Sequence, residues 1–399
     1  MSSPQINMNT YITEYLSKDY AGETPPGEIR LDCSLGVNSD PLGNCVFQRL
    51  HEFSQRTDSS QGNYDEIKYY PHGSSLRDAL ADWYKLNGVG EGWITGDNFI
   101  LGNGSYDILC GLNLLCLTHG KAVLGHAPQF TAYIDHVHCS GSRYEGCRME
   151  SLRNFRFEAE DYIARMVPEY DMFIVENPNN PTGQIIPLWK IREIAQKALE
   201  LNRVLVLDEA YAEYMPFDNS AINLVPDFPN LIVTRSFSKG WGMAGVRLGY
   251  GVASNELGLL THLQKVVLPF NCNGLARTLA QTALRTRLEH PDDPFGVRPV
   301  ERSKQRLLDT ILDSNQKWGR NLQIAETYKS TPILMIYYND AGPRFHLQQH
   351  LLESGILTVS CQSYAGLDQR AVRLMLPEEH RIPLLLELMD DAIRRLPKP

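Results

Sequence analysis

The chain has 399 residues, which is longer than one ordinary domain and predicts two. Its 43% hydrophobic and 21% charged residues are typical of a soluble globular protein, and its net charge of −9 argues against a nucleic-acid or membrane partner. No apolar run approaches the ~20 residues that span a bilayer, and the polar N-terminus lacks the apolar segment of a secretory signal. The eight cysteines form no C-x-x-C pair and no metal-ligand spacing, so we expect a reduced, cytoplasmic enzyme without a structural metal.

The first segments predict a strand, a turn and a helix. Residues 31–38 alternate into a strand that ends in an Asn/Pro/Gly turn at 38–43. Further on, Tyr70 and a proline precede a helix that begins with a serine cap at Ser74. Taken alone, Asn38 is compatible with an ordinary turn, and Tyr70 with an ordinary core-and-turn pair.

A glycine turn joins the next predicted strand, residues 97–101, to a helix. The turn contains Gly102 and Gly104. The backbone N–H groups of Ser105 and Tyr106 follow at the helix N-terminus, where they can bind an anion. Such a turn is equally compatible with a tight connection and no ligand.

Three further apolar strands are predicted at residues 121–125, 171–176 and 203–208. The second runs into N-P-N-N-P-T-G at 177–183, whose two X-Pro steps make a stiff turn and include a candidate for a cis bond. The third ends in Asp208. An ionised acid at the end of a buried strand needs a cationic partner.

The stretch around Lys239 carries the most specific chemistry. An apolar strand at 230–234 leads into the pattern S-x-S-K-x-x-x-x-x-G-x-R. A lysine at the end of a buried strand is costly unless it is neutral, paired or covalently used. Ser236, Ser238 and Arg247 are donors that would hold a phosphate. An amine beside phosphate donors indicates pyridoxal 5'-phosphate (PLP) bound to Lys239 as a Schiff base, and the alternative is a glycine-rich turn with a surface lysine.

The C-terminal part begins after a Pro/Asp-rich linker at 290–296, which marks a domain change. Arg373 lies in an apolar strand at 371–376. A buried guanidinium needs an anion, and a carboxylate matches its geometry, although a structural salt bridge is the alternative. Short apolar strands alternate with helices along the chain. This alternation predicts an α/β fold with a mostly parallel sheet and helices on both of its faces.

Two of these motifs resemble those of the fold-type I PLP-dependent aminotransferases of class I/II. They are the serine–lysine–arginine pattern around Lys239 and the N-P-x-N-P-T-G turn, and the resemblance extends from about residue 31 to 390. It implies a homodimer with shared active sites. It also implies a large PLP-binding domain at 45–288 and a smaller α+β domain formed by 1–44 and 289–399.

The resemblance also implies roles for individual residues. Lys239 would bind PLP and move the proton at the substrate Cα, and Asp208 would keep the pyridine nitrogen protonated. Asn180 and Tyr211 would bond the phenolic oxygen, and Phe130 would stack on the pyridine ring unless it is only a core aromatic. The implied residues are Lys239, Asp208 and Tyr211 for catalysis; Ser105, Tyr106, Phe130, Asn180, Asp208, Tyr211, Ser236, Ser238, Lys239, Arg247 and, in the partner subunit's site, Tyr70 for the cofactor; and Arg373 and Asn38 for the substrate carboxylate.

The subfamily is open from the sequence. The lysine loop and residues 268–274 resemble histidinol-phosphate aminotransferases, whereas residues 38–43 and 361–370 resemble threonine-phosphate decarboxylases. Both groups usually carry a substrate-binding arginine in the strand after Gly355 and Ile356, and this chain has Leu-Thr-Val-Ser there. This departure argues against a phosphorylated substrate.

We therefore predict a PLP-dependent aminotransferase that acts on an unphosphorylated L-amino acid and a 2-oxo acid. The alternative is a PLP-dependent lyase (a decarboxylase, eliminase or cyclase) in a specialised biosynthetic pathway. A ligand-sensing regulator on the same fold would normally carry a DNA-binding domain, for which the N-terminal segment has no room.

Overall fold

A computed structural model describes residues 26–36, 38, 48, 51–52, 68–117, 120–289 and 299–398. The predicted turn after Asn38 and the predicted linker at 290–296 lie outside the described residues. The strands are β1 Leu31–Asp32, β2 Phe99–Gly102, β3 Ala122–Ala127, β4 Arg143–Arg148, β5 Met172–Glu176, β6 Val204–Asp208, β7 Leu231–Ser236, β8 Gly249–Ala253, β9 Gln323–Ile324, β10 Ile333–Tyr337, β11 Ile356–Leu357, β12 Val359–Ser360 and β13 Ala371–Met375. The helices are α1 Ser75–Leu86, α2 Ser105–Cys116, α3 Thr131–Cys139, α4 Ala159–Arg165, α5 Leu188–Glu200, α6 Leu259–Leu263, α7 Gly274–Glu289, α8 Glu301–Trp318, α9 Leu347–Glu353 and α10 Ile382–Arg395.

The largest sheet has seven strands in the order β2-β8-β7-β6-β5-β3-β4. Only β8 is antiparallel to its neighbours, and the pairs from β7 to β4 are all parallel. The carboxyl ends of parallel strands lie at one edge of a sheet, which is where ligands bind in such folds. The sheet therefore places the ends of β5, β6 and β7 side by side.

Both faces of this sheet are covered, because alternate side chains of its central strands enter two different cores. Phe173 and Val175 belong to a core that also contains α1, α5 and α7. Met172 and Ile174 belong to a core with α2, α3 and α6. Side chains alternate between the two faces of a strand, and burial on both faces explains why β5 and β6 are apolar up to their last residue.

A third core holds the smaller sheets. An antiparallel sheet in the order β12-β13-β10-β9 and the parallel pair β1-β11 pack with α8, α9 and α10. Leu334 and Ile336 of β10 face this core, whereas Met335 and Tyr337 face the core of the large sheet. The division into domains at 45–288 and at both chain ends stays a prediction.

Some elements differ from what an apolar run indicates. Residues 256–267 contain only the short helix α6, and the apolar run at 356–360 is divided into two strands, because β11 pairs with β1 whereas β12 pairs with β13. Helix α3 and strand β4 were not predicted. Strand β4 lies at the sheet edge and is mostly polar, so it lacks the apolar run that reveals a central strand.

None of the helices within the described residues is long and apolar enough to cross a membrane. The cytoplasmic location inferred from the sequence stays a prediction.

Candidate active site

The predicted cofactor residues meet at the carboxyl edge of the large sheet. There they line a cavity of about 730 Å³. Strand β6 ends there in Asp208, β7 ends there in Ser236, and Lys239 follows three residues later. Of the predicted residues, the cavity is lined by Ser105, Tyr106, Phe130, Asn180, Asp208, Tyr211, Ser236, Ser238, Lys239 and Arg247.

One end of the cavity is a ring of hydrogen-bond donors. Helix α2 begins at Ser105 after Gly104, whose φ of 79° is accessible to glycine with little strain. The first N–H groups of a helix have no partner within the helix, and Gly104, Ser105 and Tyr106 all line the cavity. Their predicted role in binding an anion stays a prediction. Opposite them, Arg247 Nη1 lies 3.4 Å from the Ser238 hydroxyl oxygen. A Cβ on Gly104 would approach Arg247 Nη2 to 2.8 Å, so glycine keeps open a space that an anion can fill.

Lys239 faces an aromatic wall. Its Nζ lies 5.2 Å from the ring centroid of Tyr211.

Asn38 approaches the lysine loop from the N-terminal segment. Its backbone N–H donates to the Lys239 carbonyl at 3.2 Å, and its Nδ2 donates to the Gly240 carbonyl at 3.1 Å. Asn38 was predicted at the substrate carboxylate, and the structure places it against the backbone of the lysine loop.

Asp208 is a buried acid in need of a cation. It is 6% exposed and accepts a hydrogen bond from the Thr234 hydroxyl at 3.0 Å. Burial raises the pKa of the Asp208 carboxyl to about 6, although the Thr234 hydrogen bond and the Lys239 charge lower it. The Lys239 charge acts on this carboxyl. A protonated ring nitrogen in the cavity would add a positive charge beside it.

Asn180, Tyr211 and Arg373 lie together beside the cavity. The Asn180 Oδ1 atom accepts a hydrogen bond from Arg373 Nη1 at 3.3 Å. Arg373 is 5% exposed, and its Nη2 also donates to the Ser34 carbonyl at 2.6 Å. A Cβ on Gly36 would lie 2.5 Å from the Tyr211 hydroxyl, so the N-terminal segment approaches the site closely. Arg373 does not line the cavity itself but reaches its wall through Asn180.

Glu176 is a cavity residue that the sequence analysis missed. Its Oε1 accepts the Phe130 backbone N–H at 2.8 Å, and its Oε2 accepts the Asn180 backbone N–H at 3.2 Å. Burial raises the pKa of the Glu176 carboxyl well above its usual value, and the neighbouring Asp208 charge adds to this. The available signal was the same as for Asp208, namely an acid at the end of an apolar strand.

Glu176 therefore ties together two turns that line the cavity. One turn holds Phe130 and follows a cis bond between Ala127 and Pro128; the other is the N-P-N-N-P-T-G turn, in which both X-Pro bonds are cis. The sequence had predicted one of those two as a candidate.

Tyr70 lies away from the cavity of its own chain. It is 69% exposed and stacks on Phe270, with ring centroids 4.5 Å apart. Its predicted contact with a partner subunit's cofactor stays a prediction.

The site fits PLP on three observations. The donor ring around Gly104 has the chemistry and the open space for a phosphate. Buried Asp208 suits a pyridinium, and Lys239 lines the same cavity.

The sequence belongs with a known group of proteins. A sequence model described as Aminotransferase class I and II matches residues 32–377. Histidinol-phosphate aminotransferase 2 from Nitrosospira multiformis is 32% identical over 286 residues, covering 71% of this chain and 66% of that protein. Histidinol-phosphate aminotransferase 2 from Ralstonia nicotianae is 33% identical over 355 residues, covering 87% of this chain and 85% of that protein.

A solved structure shows the same fold. The histidinol-phosphate aminotransferase from Sinorhizobium meliloti, in complex with pyridoxal-5'-phosphate, superimposes with a TM-score of 0.78 at 20% identity, covering 99% of this chain and 100% of that one. These matches confirm the predicted α/β fold class and, with the family, a PLP-dependent enzyme. The chain belongs to the family of class I and II aminotransferases.

Proposed function

We propose that this protein is a PLP-dependent aminotransferase that exchanges an amino group between an unphosphorylated L-amino acid and a 2-oxo acid. The observation that carries the proposal is one cavity that brings Lys239 together with Asp208 and with the donor ring at Ser105 and Arg247. An amine, a buried acid and phosphate donors in one cavity are the set of groups that PLP chemistry requires.

In this proposal each end of PLP has its own residues. The N–H groups at Ser105 and Tyr106, the hydroxyls of Ser236 and Ser238 and the Arg247 guanidinium hold the phosphate. Asp208 holds the ring nitrogen in its protonated form, and Phe130 packs against the ring. Asn180 donates to the phenolic oxygen, and the Tyr211 hydroxyl, which donates to the Gly36 carbonyl at 3.0 Å in the structure, turns to donate there as well.

PLP supplies an electron sink for the bond that breaks at the substrate Cα. The protein supplies the proton transfer. Lys239 would hold PLP, and its Nζ would move the proton at the substrate Cα as a general base and acid. Arg373 binds the substrate carboxylate with a bidentate geometry.

The substrate's phosphorylation state decides between two candidates. The relatives are named for histidinol phosphate, which favours a phosphorylated amino alcohol. Residues 357–360, Leu-Thr-Val-Ser, carry no cation, which favours an unphosphorylated carboxylate on Arg373. We propose the unphosphorylated substrate, because the residues that line a site determine what it binds, whereas the relatives are only about one-third identical to this chain. The lyase alternative has no support from the relatives.

We also propose that the protein is a homodimer in which Tyr70 contributes to the partner's site. Its exposed ring, stacked on exposed Phe270, supports a contact outside its own subunit.

The test is a spectral and mass-spectrometric screen of the purified protein loaded with PLP. It is offered single L-amino acids without a 2-oxo acid, and histidinol phosphate in parallel. Conversion of the cofactor to pyridoxamine phosphate with one equivalent of a 2-oxo acid supports the proposal and identifies the donor. A response to histidinol phosphate alone would establish the phosphorylated candidate. Release of carbon dioxide or a cyclised product over many turnovers would refute transamination. Lys239→Ala, which lacks the attachment amine, is the control.

A further inference from the structure

The orientation of the Asn180 side-chain amide is determined by its neighbours. An arginine nitrogen can only donate, so the amide atom that faces Arg373 Nη1 at 3.3 Å must be the oxygen. The Nδ2 group therefore points the other way. Within the described part of the chain it makes no hydrogen bond, and Asn180 lines the cavity. Its N–H is thus available to a ligand.

A second donor holds the same oxygen. The Tyr364 hydroxyl donates to Asn180 Oδ1 at 3.2 Å. Tyr364 is 4% exposed, and its backbone is fixed on both sides, since its N–H donates to the Cys361 carbonyl at 2.9 Å and its carbonyl accepts the Leu367 N–H at 3.1 Å. The position of this hydroxyl therefore depends on a turn and not on Arg373.

The two donors differ in what else they must do. A carboxylate bound to Arg373 attracts the guanidinium nitrogens, because charge-assisted hydrogen bonds are stronger than a bond to a neutral amide. The hydrogen bond from Arg373 Nη1 to Asn180 Oδ1 therefore weakens when the substrate binds. The phenol of Tyr364 is neutral and keeps its hydrogen bond.

We propose that Tyr364 is a positioning residue that keeps the Asn180 N–H aimed at the phenolic oxygen of PLP throughout the reaction. This inference rests on the proposed function. An N–H that donates to the phenolic oxygen stabilises negative charge there, so it lowers the pKa of the PLP chromophore attached to Lys239. If the Asn180 amide tilts, its N–H donates less well to the phenolic oxygen, and the pKa of the PLP chromophore rises.

The test is a spectrophotometric pH titration of the PLP-loaded protein with the variant Tyr364→Phe, which removes only the hydroxyl. We expect the chromophore pKa to rise by about half a unit or more, the size that one lost hydrogen bond produces. With the amino donor from the screen, kcat should fall more than KM rises, because Arg373 still binds the carboxylate.

Two comparisons make the test specific. Tyr337→Phe removes another partly buried hydroxyl, which bonds Asn154 Oδ1 at 3.1 Å outside the cavity, and should leave the chromophore pKa unchanged. Asn180→Ala should raise the pKa further than Tyr364→Phe does. The double variant should match Asn180→Ala alone, because Tyr364 acts through Asn180.

Additive shifts in the double variant, or a Tyr364→Phe protein that binds PLP and titrates as the wild type does, would overturn the inference alone. A wild-type protein without Lys239-dependent absorbance would overturn the proposed function, and this inference with it.

Discussion

Glu176 and Asp208 are register partners on neighbouring parallel strands, and both carboxyl groups line the same cavity. Two buried acids this close cannot both ionise easily, and the Asp208 charge adds to the burial that raises the pKa of Glu176. The Thr234 hydroxyl and the Lys239 charge stabilise the ionised form of Asp208, so burial raises its pKa only to about 6. The neighbours therefore differ: at neutral pH Asp208 is mainly ionised and suits a pyridinium, whereas burial and the Asp208 charge raise the pKa of Glu176 well above its usual value.

The first prediction concerns catalysis by Asp208. Asp208→Asn removes the negative charge that stabilises a protonated ring nitrogen, while Lys239 can still bind PLP. We expect kcat/KM to fall by roughly 10²–10³-fold, as for the loss of other preorganised charges in active sites. Steady-state kinetics with the amino donor from the screen measure this. Asp171→Asn, which removes an acid paired with Lys121 at the other end of β5, should leave the rate unchanged. A near-wild-type rate for Asp208→Asn would mean that another group keeps the ring nitrogen of PLP protonated.

The second prediction concerns the stability of the cofactor-free protein. The Asp208 carboxyl has a pKa of about 6 when folded, against a usual 3.8, so the folded state binds more protons between these pH values. Its contribution to stability is therefore present at low pH and is lost as the pH rises through 6. At pH 8 the loss is at most about 3 kcal/mol.

Asp208→Asn avoids this loss, so the cofactor-free variant should be more stable than the wild type at pH 8. The difference should shrink by roughly half at pH 5. Urea unfolding at pH 5, 6, 7 and 8 measures it. A difference that is independent of pH would mean that Asp208 is not the group responsible.

The third prediction concerns Arg373. Arg373→Lys retains a positive charge but loses the planar pair of donors that matches a carboxylate. We expect the KM for the amino donor to rise ~30-fold or more, which corresponds to ~2 kcal/mol. Arg370→Lys is the matched control, because Arg370 lies three residues before Arg373, bonds Asp368 at 2.6 Å and does not line the cavity. If both variants behave alike, another residue binds the carboxylate.

The fourth prediction concerns Glu176 as a link between the two turns. Glu176→Gln retains one acceptor oxygen and replaces the other with an NH₂ group, so the N–H of Phe130 or of Asn180 loses its acceptor. We expect the Kd for PLP to increase ~5-fold or more, because a buried unsatisfied donor costs ~1–3 kcal/mol.

Titration of the cofactor-free variant with PLP, followed by absorbance, gives this Kd. Glu145→Gln changes a half-exposed acid on β4 and serves as the control. A variant that melts earlier yet binds PLP as tightly as the wild type would show a purely structural role for Glu176.

The central strands and several cofactor contacts were predictable, because their causes are local. Strands β5 and β6 are apolar on both faces up to their last residues, Glu176 and Asp208, and β7 is polar from Thr234 onward. Parallel strands then bring those ends to one edge. The short elements were not predictable in this way: β4 at the sheet edge has no apolar run, and β11 and β12 are separated only by their different pairing partners.

The amino-acid sequence by itself determined the family, the fold class, the lysine and the donors around it, because each is a run of residue types at fixed spacing. The tertiary structure alone decided which groups share an atom. Tyr364 and Arg373 meet on Asn180, which is 184 and 193 residues away from them along the chain. Asn38 lies on the backbone of the lysine loop, 202 residues from Gly240. Such hydrogen bonds form only when segments that are distant in the sequence are placed to within a few tenths of an ångström of the required separation. No local pattern of residues encodes that placement.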